Sequence, residues 1–248
     1  MIILKTLSEI EQMRVSSRLA AGVLQRLCKE IRPGVTTGEL DRIAESLIKE
    51  NGGKPSFKGY RGFPASICAS VNEEVVHGIP GQRILREGDL LKVDVGVYKD
   101  GFHGDVTETY AVGQLSLEAK KLKDVTEQAL YAGIEKVTTE NRIGDVSNAV
   151  QQMAEKNNYT VVRDFTGHGI GRNLHEDPQV TNFGKPGTGL RIKDGMVFCL
   201  EPMVNMGGAE VEILKDHWTV VTKDRKLSVH YEHTIAVVAG KAEILTKL

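Results

Sequence analysis

Glu87-Gly88-Asp89-Leu90-Leu91-Lys92-Val93-Asp94 returns 107 positions later as Asp194-Gly195-Met196-Val197-Phe198-Cys199-Leu200-Glu201. In both stretches an acidic residue and a glycine form a turn signal, and a mainly apolar strand pattern follows. Each strand carries a carboxylate six residues after its glycine. A second segment repeats in nearly the same register. A shift of 106 lays Ile31, Gly38, Leu40, Ile43 and Leu47 over Val137, Gly144, Val146, Ala149 and Met153. Two segments in almost one register predict an internal duplication. Its halves span about residues 1–113 and 114–248 of a single domain.

Working outward, each half reads as helices followed by strands. Thr6-Leu7-Ser8-Glu9 has capping-box spacing. Ile10, Met13, Ser17, Ala20, Leu24, Leu27 and Ile31 then follow in steps of three and four, which places them on one helix face. Pro33-Gly34 closes that pattern, and Thr36-x-x-Glu39 opens a shorter helix that stops at Asn51-Gly52-Gly53. The order recurs as a long helix from about Ser116 to Val137 and a short one from Ile143 to Asn157. Leu90–Val97 and Phe102–Val112 flank the hairpin signal Lys99-Asp100-Gly101, with Val197–Val204 and Tyr231–Val238 as the matching strands. The fold class that follows is α+β, with helices covering one face of a curved antiparallel sheet.

Composition excludes several classes of function. The 248 residues include 32 basic and 33 acidic side chains, so no charge excess points to nucleic acid or an anionic membrane as main partner. Cys28, Cys68 and Cys199 are scattered and form no Cys-x-x-Cys pair, which argues against a disulfide framework and a thiolate zinc site. The opening MIILKTLSEIEQMR is charged by its fifth residue and lacks the apolar core of a signal peptide. A cytoplasmic protein with reduced thiols and no membrane span is the expectation.

The chemistry rests on acids set in apolar strands. Asp94 and Glu201 interrupt apolar runs, and Glu232 precedes Thr-Ile-Ala-Val-Val by one residue. Singly, each could face water, because a strand alternates its faces. Asp94 and Asp105, eleven apart on two arms of a hairpin, can however meet across the ladder. Facing carboxylates repel unless cations offset them. Two divalent ions carry the four positive charges that balance Asp94, Asp105, Glu201 and Glu232, and such ions lower the pKa of bound water. His168, in Thr166-Gly167-His168-Gly169-Ile170-Gly171, reads alone as a loop histidine. Beside four carboxylates it completes an oxygen-rich donor set suited to Mn²⁺, Fe²⁺ or Co²⁺, with Zn²⁺ also able to bind.

These residues and their contexts resemble those of a known family. Asp-Gly-Phe-His-Gly-Asp (100–105), Gly-His-Gly-Ile-Gly (167–171), Glu-Pro-Met-Val (201–204) and Tyr-Glu-His-Thr (231–234) are similar to the strings of the type I methionine aminopeptidases, which are pita-bread metallopeptidases. The likeness runs from the first helix to Leu245. The steps between Asp94, Asp105, His168, Glu201 and Glu232 are 11, 63, 33 and 31 residues, and the last leaves no room for the helical insertion of type II relatives.

The resemblance implies a pita-bread fold of two pseudo-symmetric halves forming one catalytic domain, and those five residues as ligands of two divalent metals. It implies that Glu201 also moves the proton of the attacking water, that His175 polarises the scissile carbonyl and that His77 contacts the following peptide nitrogen. It places Phe57, Tyr60, Phe63, Cys68 and Trp218 around a methionine slot. Phe57 and Leu174 stand where the family commonly carries cysteine and an aromatic residue. The implied activity is removal of initiator methionine ahead of a small second residue. N-terminal Met peptides and nascent chains would be the partners, with a transient ribosome contact and a monomeric enzyme. An X-Pro dipeptidase and a protein-binding relative without catalysis are the competing readings. The second is disfavoured because all five ligand positions are filled.

Overall fold

The computed structural model describes Ile2–Leu248, with Met1 outside the described residues. Helix α1 spans Leu7–Leu27 and α2 spans Thr37–Glu50. Both start where the sequence says they should. Glu9 N donates to Thr6 Oγ1 at 3.2 Å while Thr6 N donates to Glu9 Oε2 at 3.0 Å, and Thr36 and Glu39 repeat the exchange. Each box satisfies backbone N–H groups that have no partner inside the helix. The C-terminus of α1 differs from expectation. The helix stops at Leu27, and Ile31 reaches the same apolar core from the loop beyond. Tertiary packing, not helix continuation, accounts for that last apolar position.

Helices α3 (Leu117–Ile134) and α4 (Ile143–Lys156) open the second half. α2 and α4 are both 14 residues long and begin 106 positions apart, from Thr37 to Ile143. Nine strands form the main sheet: β1 (Lys54–Pro55), β2 (Cys68–Val71), β3 (Leu90–Lys99), β4 (Phe102–Ala111), β5 (Gly167–Gly169), β6 (Glu176–Val180), β7 (Val197–Leu200), β8 (Glu232–Val238) and β9 (Lys241–Ile244). Their order is β1-β3-β4-β8-β7-β5-β6, with β2 also on β3 and β9 also on β8. All pairings in this sheet are antiparallel, as expected. The β3–β4 hairpin turns through Asp100 (φ 52°) and Gly101 (φ 88°), both in the left-handed region that a two-residue hairpin loop needs.

The halves join where β4 meets β8, with Glu232 opposite Thr107 and His233 opposite Val106. Leu91, Val93, Val95 and Val97 of β3 face the core formed with Leu24, Leu27, Leu40 and Ile48 of α1 and α2. Fully burying each such side chain contributes roughly 1.5–3 kcal/mol. Strand alternation therefore sends Lys92, Asp94 and Gly96 to the opposite face.

One expected strand is interrupted and another starts one residue late. Val197–Val204 is broken by Pro202, which has no N–H for the ladder. Beyond the break, Met203–Asn205 pairs in a separate three-stranded sheet with Ser228–His230 and Thr160–Val161. The return crossing is at Tyr231, so β8 begins at Glu232 instead of Tyr231. Glu201 and Glu232 thus sit where the chain passes between two sheets.

Candidate metal centre

Asp94 stands opposite Thr107, and Asp105 stands opposite Gly96. The two aspartates are therefore diagonal neighbours on one face, not the directly facing pair that their spacing suggests. Thr107 Oγ1 donates to Glu232 Oε2 at 2.8 Å. In the matching place of the second half, Thr234 Oγ1 donates to the Asp105 carbonyl at 2.7 Å and accepts from Asp105 N at 3.0 Å. Each threonine, two positions after one acid, thereby steadies the acid of the other half.

His168 comes from β5 and Glu201 from the end of β7, held 3.6 Å apart between Nε2 and Oε1. His168 Nδ1 lies 2.9 Å from the Gly169 carbonyl, which can only accept, so that nitrogen carries the proton. Nε2 is left with a lone pair directed at the acids, as a metal-binding imidazole requires. Burial also pushes the His168 pKa down, which favours this neutral form.

All five residues line one cavity of about 280 Å³. Asp105, His168 and Glu232 present donor atoms within 4.8 Å of one another, and Cys199 Sγ joins that group. Asp94 lines the same cavity beside Asp105, its diagonal neighbour on the ladder. Burial first, then repulsion from the neighbouring carboxylates, pushes Asp94, Glu201 and Glu232 well above the usual carboxylate range. Burial likewise raises Asp105 to about 7. Asp94 Oδ1 and Asp105 Oδ1 are buried with no hydrogen-bond partner among the described residues. Oxygen atoms left so are expensive unless a cation meets them. The donor set fits divalent metal.

A ring of aromatic and apolar groups completes the cavity. Phe57, Tyr60, Phe63, Cys68 and Trp218 all line it, together with Leu174, Val76, Phe165 and Met203. Phe63 and Trp218 meet edge to face at 5.1 Å. Burial, then the Asp94 charge, pushes the Cys68 thiol up, so it serves as a neutral wall. His175 stacks on Tyr60 with ring centroids 5.2 Å apart, and its Nδ1 is 3.0 Å from Tyr60 Oη. His77 takes a φ of 58° and points its ring between Phe165 and Trp218. Burial first, then the neighbouring His168, lowers both histidines, and His77 comes down to about 4.

Two nearby residues escaped the sequence reading. Cys199 looked like one more apolar residue of a core strand, though it lies two positions before Glu201 and shares its face. His230 Nε2 is buried, has no hydrogen-bond partner among the described residues and lies 3.6 Å from Glu201 Oε2. Its signal was its position two residues before Glu232, masked because the strand breaks between them.

Known proteins give a consistent picture. The model of metallopeptidase family M24 matches residues 11–239. A methionine aminopeptidase of Clostridium perfringens is 53% identical over 246 residues, covering 99% of each chain. Methionine aminopeptidase 1 of Bacillus subtilis is 49% identical over 248 residues, covering 100% of both. Among solved structures, a methionine aminopeptidase from Rickettsia prowazekii superposes with a TM-score of 0.98 at 43% identity, covering 100% of both chains.

Proposed function

The chain belongs to metallopeptidase family M24, and we propose that it removes the N-terminal methionine of newly made polypeptides, preferring a small second residue. The observation that carries this reading is one cavity in which an apolar slot opens directly onto buried, unpartnered carboxylates. Asp94, Asp105, His168, Glu201 and Glu232 would hold two divalent ions, with manganese, iron and cobalt best suited to the donors and zinc acceptable. Bound there, such ions acidify water and neutralise developing negative charge.

The remaining chemistry belongs to side chains of this protein. Phe57, Tyr60, Phe63, Cys68 and Trp218 take up the methionine side chain, whose unbranched thioether adapts to a narrow slot. Glu201 accepts a proton from the attacking water and returns it to the leaving amine. With Tyr60 O–H as the donor to His175 Nδ1, 3.0 Å away, Nε2–H is left to donate to the scissile carbonyl. His77 meets the nitrogen of the following peptide bond. Residues 1–248 act as one catalytic domain and as a monomer, on nascent chains in the cytoplasm during transient contact with the ribosome. No described helix is long and apolar enough to cross a membrane.

The test is release of free methionine from Met-Ala-Ser in the presence of Mn²⁺ or Co²⁺, with metal content measured on the same sample. Met release with Leu-Pro left intact supports the reading. Cleavage of Leu-Pro with Met-Ala-Ser untouched would instead identify an X-Pro dipeptidase.

A further inference from the structure

The segment ahead of α1 is anchored by its backbone, since Lys5 N donates to the Gly195 carbonyl at 2.7 Å. The Lys5 side chain turns inward and is only 4% exposed, as is the side chain of Glu176, with which it pairs. Lys5 Nζ also donates to the Ile3 carbonyl at 3.1 Å. The Glu176 carboxylate uses its other oxygen to accept from Asn173 N at 3.1 Å. One carboxylate, next in sequence to His175, thus joins the N-terminal segment to the loop of residues 171–175.

The glycine motif makes room for this pair. A Cβ at Gly171 would lie 2.5 Å from Lys5 Cε and 2.7 Å from Glu176 Oε1, so a larger residue there would displace the two side chains from their present positions. The final glycine of Gly-His-Gly-Ile-Gly thus borders the Lys5–Glu176 pair. A second clasp is weaker: Arg172 Nη2 meets Glu9 Oε1 at 3.2 Å in a solvent-exposed pair. Within the loop, Arg172, Asn173 and His175 are exposed, and Leu174 is the side chain that packs into the core.

We propose that Lys5 is a positioning residue for His175, acting through its buried ion pair with Glu176. The proposal rests on the role assigned to His175 above. Burying two opposite charges costs desolvation that an apolar pair would avoid, so the return is geometric. A hydrogen-bond donor must reach its carbonyl within a fraction of an ångström, and misplacement by about 1 Å can cost two orders of magnitude in rate.

The experiment compares Lys5→Met, Lys5→Arg, His175→Ala and the double variant Lys5→Met/His175→Ala, all metal-loaded. Expected for Lys5→Met is a fall in kcat of about tenfold on Met-Ala-Ser with KM within about twofold and metal content unchanged. Lys5→Arg should recover most of the loss. In the His175→Ala background, Lys5→Met should cost nothing further, because both changes remove one effect. In zinc-loaded protein with ¹⁵N-labelled histidine, the His175 imidazole signal should shift or broaden in Lys5→Met. Wild-type kcat in Lys5→Met, or an equal loss in the His175→Ala background, would overturn the proposal. If Lys5→Met does not fold, Glu176→Gln replaces it, with the same expectations. A wild-type enzyme that releases no methionine would sink the functional reading alone, since the His175 signal still reports the clamp.

Discussion

Asp105 shows how one side chain acquires its chemistry from its surroundings. It is 3% exposed, one of its oxygens has no partner among the described residues, and burial holds its pKa near 7. Asp105→Asn keeps the shape and removes the charge. The expected outcome is loss of at least one metal equivalent and a fall in turnover of about a hundredfold or more. Elemental analysis beside the Met-Ala-Ser assay checks it, and near-normal turnover would rule out Asp105 as a ligand. Of the four acids and one imidazole of the proposed site, Asp94, Glu201 and Glu232 were legible in sequence because a charge inside or beside an apolar strand demands an explanation, and Asp105 and His168 only in their company. Cys199 and His230 gave no such signal. A buried thiol is ordinary core material, and an imidazole two residues from an acid is informative only when both lie on one continuous strand.

The elements follow local rules closely at their beginnings and less so at their ends. Both capping boxes form as read, because their partners are three residues apart and need nothing from the rest of the chain. Thr36→Ala should therefore cost about 1 kcal/mol of stability and leave kcat unchanged, as read by urea unfolding and the peptide assay. A drop in kcat without a drop in stability would mean that α2 does more than support the sheet. Helix ends and strand breaks were harder to read. The halt of α1 at Leu27 and the crossings at Pro202 and Tyr231 depend on which neighbour each segment finds. Pro202 was visible, but only the second sheet explains where the chain goes next.

For the molecule as a whole, the site sets a link between metal, pH and stability. In metal-free protein Asp105 keeps its proton up to about pH 7, against the ordinary value of 3.8. Between those values the folded state holds more protons than the unfolded one, so metal-free stability falls as pH rises through the window. Cations bind the deprotonated acids and remove that loss. Thermal melts at about pH 5 and about pH 8 should show the metal-free Tm dropping by roughly 5 °C or more. The gap to the metal-loaded form should widen over the same range. A gap that stays constant with pH would show that these carboxylates do not share their charge with a cation.

By itself the sequence determined the α+β class, the repeated order of helices and strands, the helix starts and the candidate ligands. Those features depend on period, on spacing and on the cost of a charge in an apolar run, all of which are read along the chain without knowing which segments meet. Tertiary structure decided the rest. It offset Asp94 from Asp105 on the ladder, crossed Thr107 and Thr234 between halves, and brought His230 and Cys199 to the acids. It also carried Lys5 to Glu176, 171 positions away. Contacts over such distances come from how sheets join and where loops fold back, which no local pattern encodes.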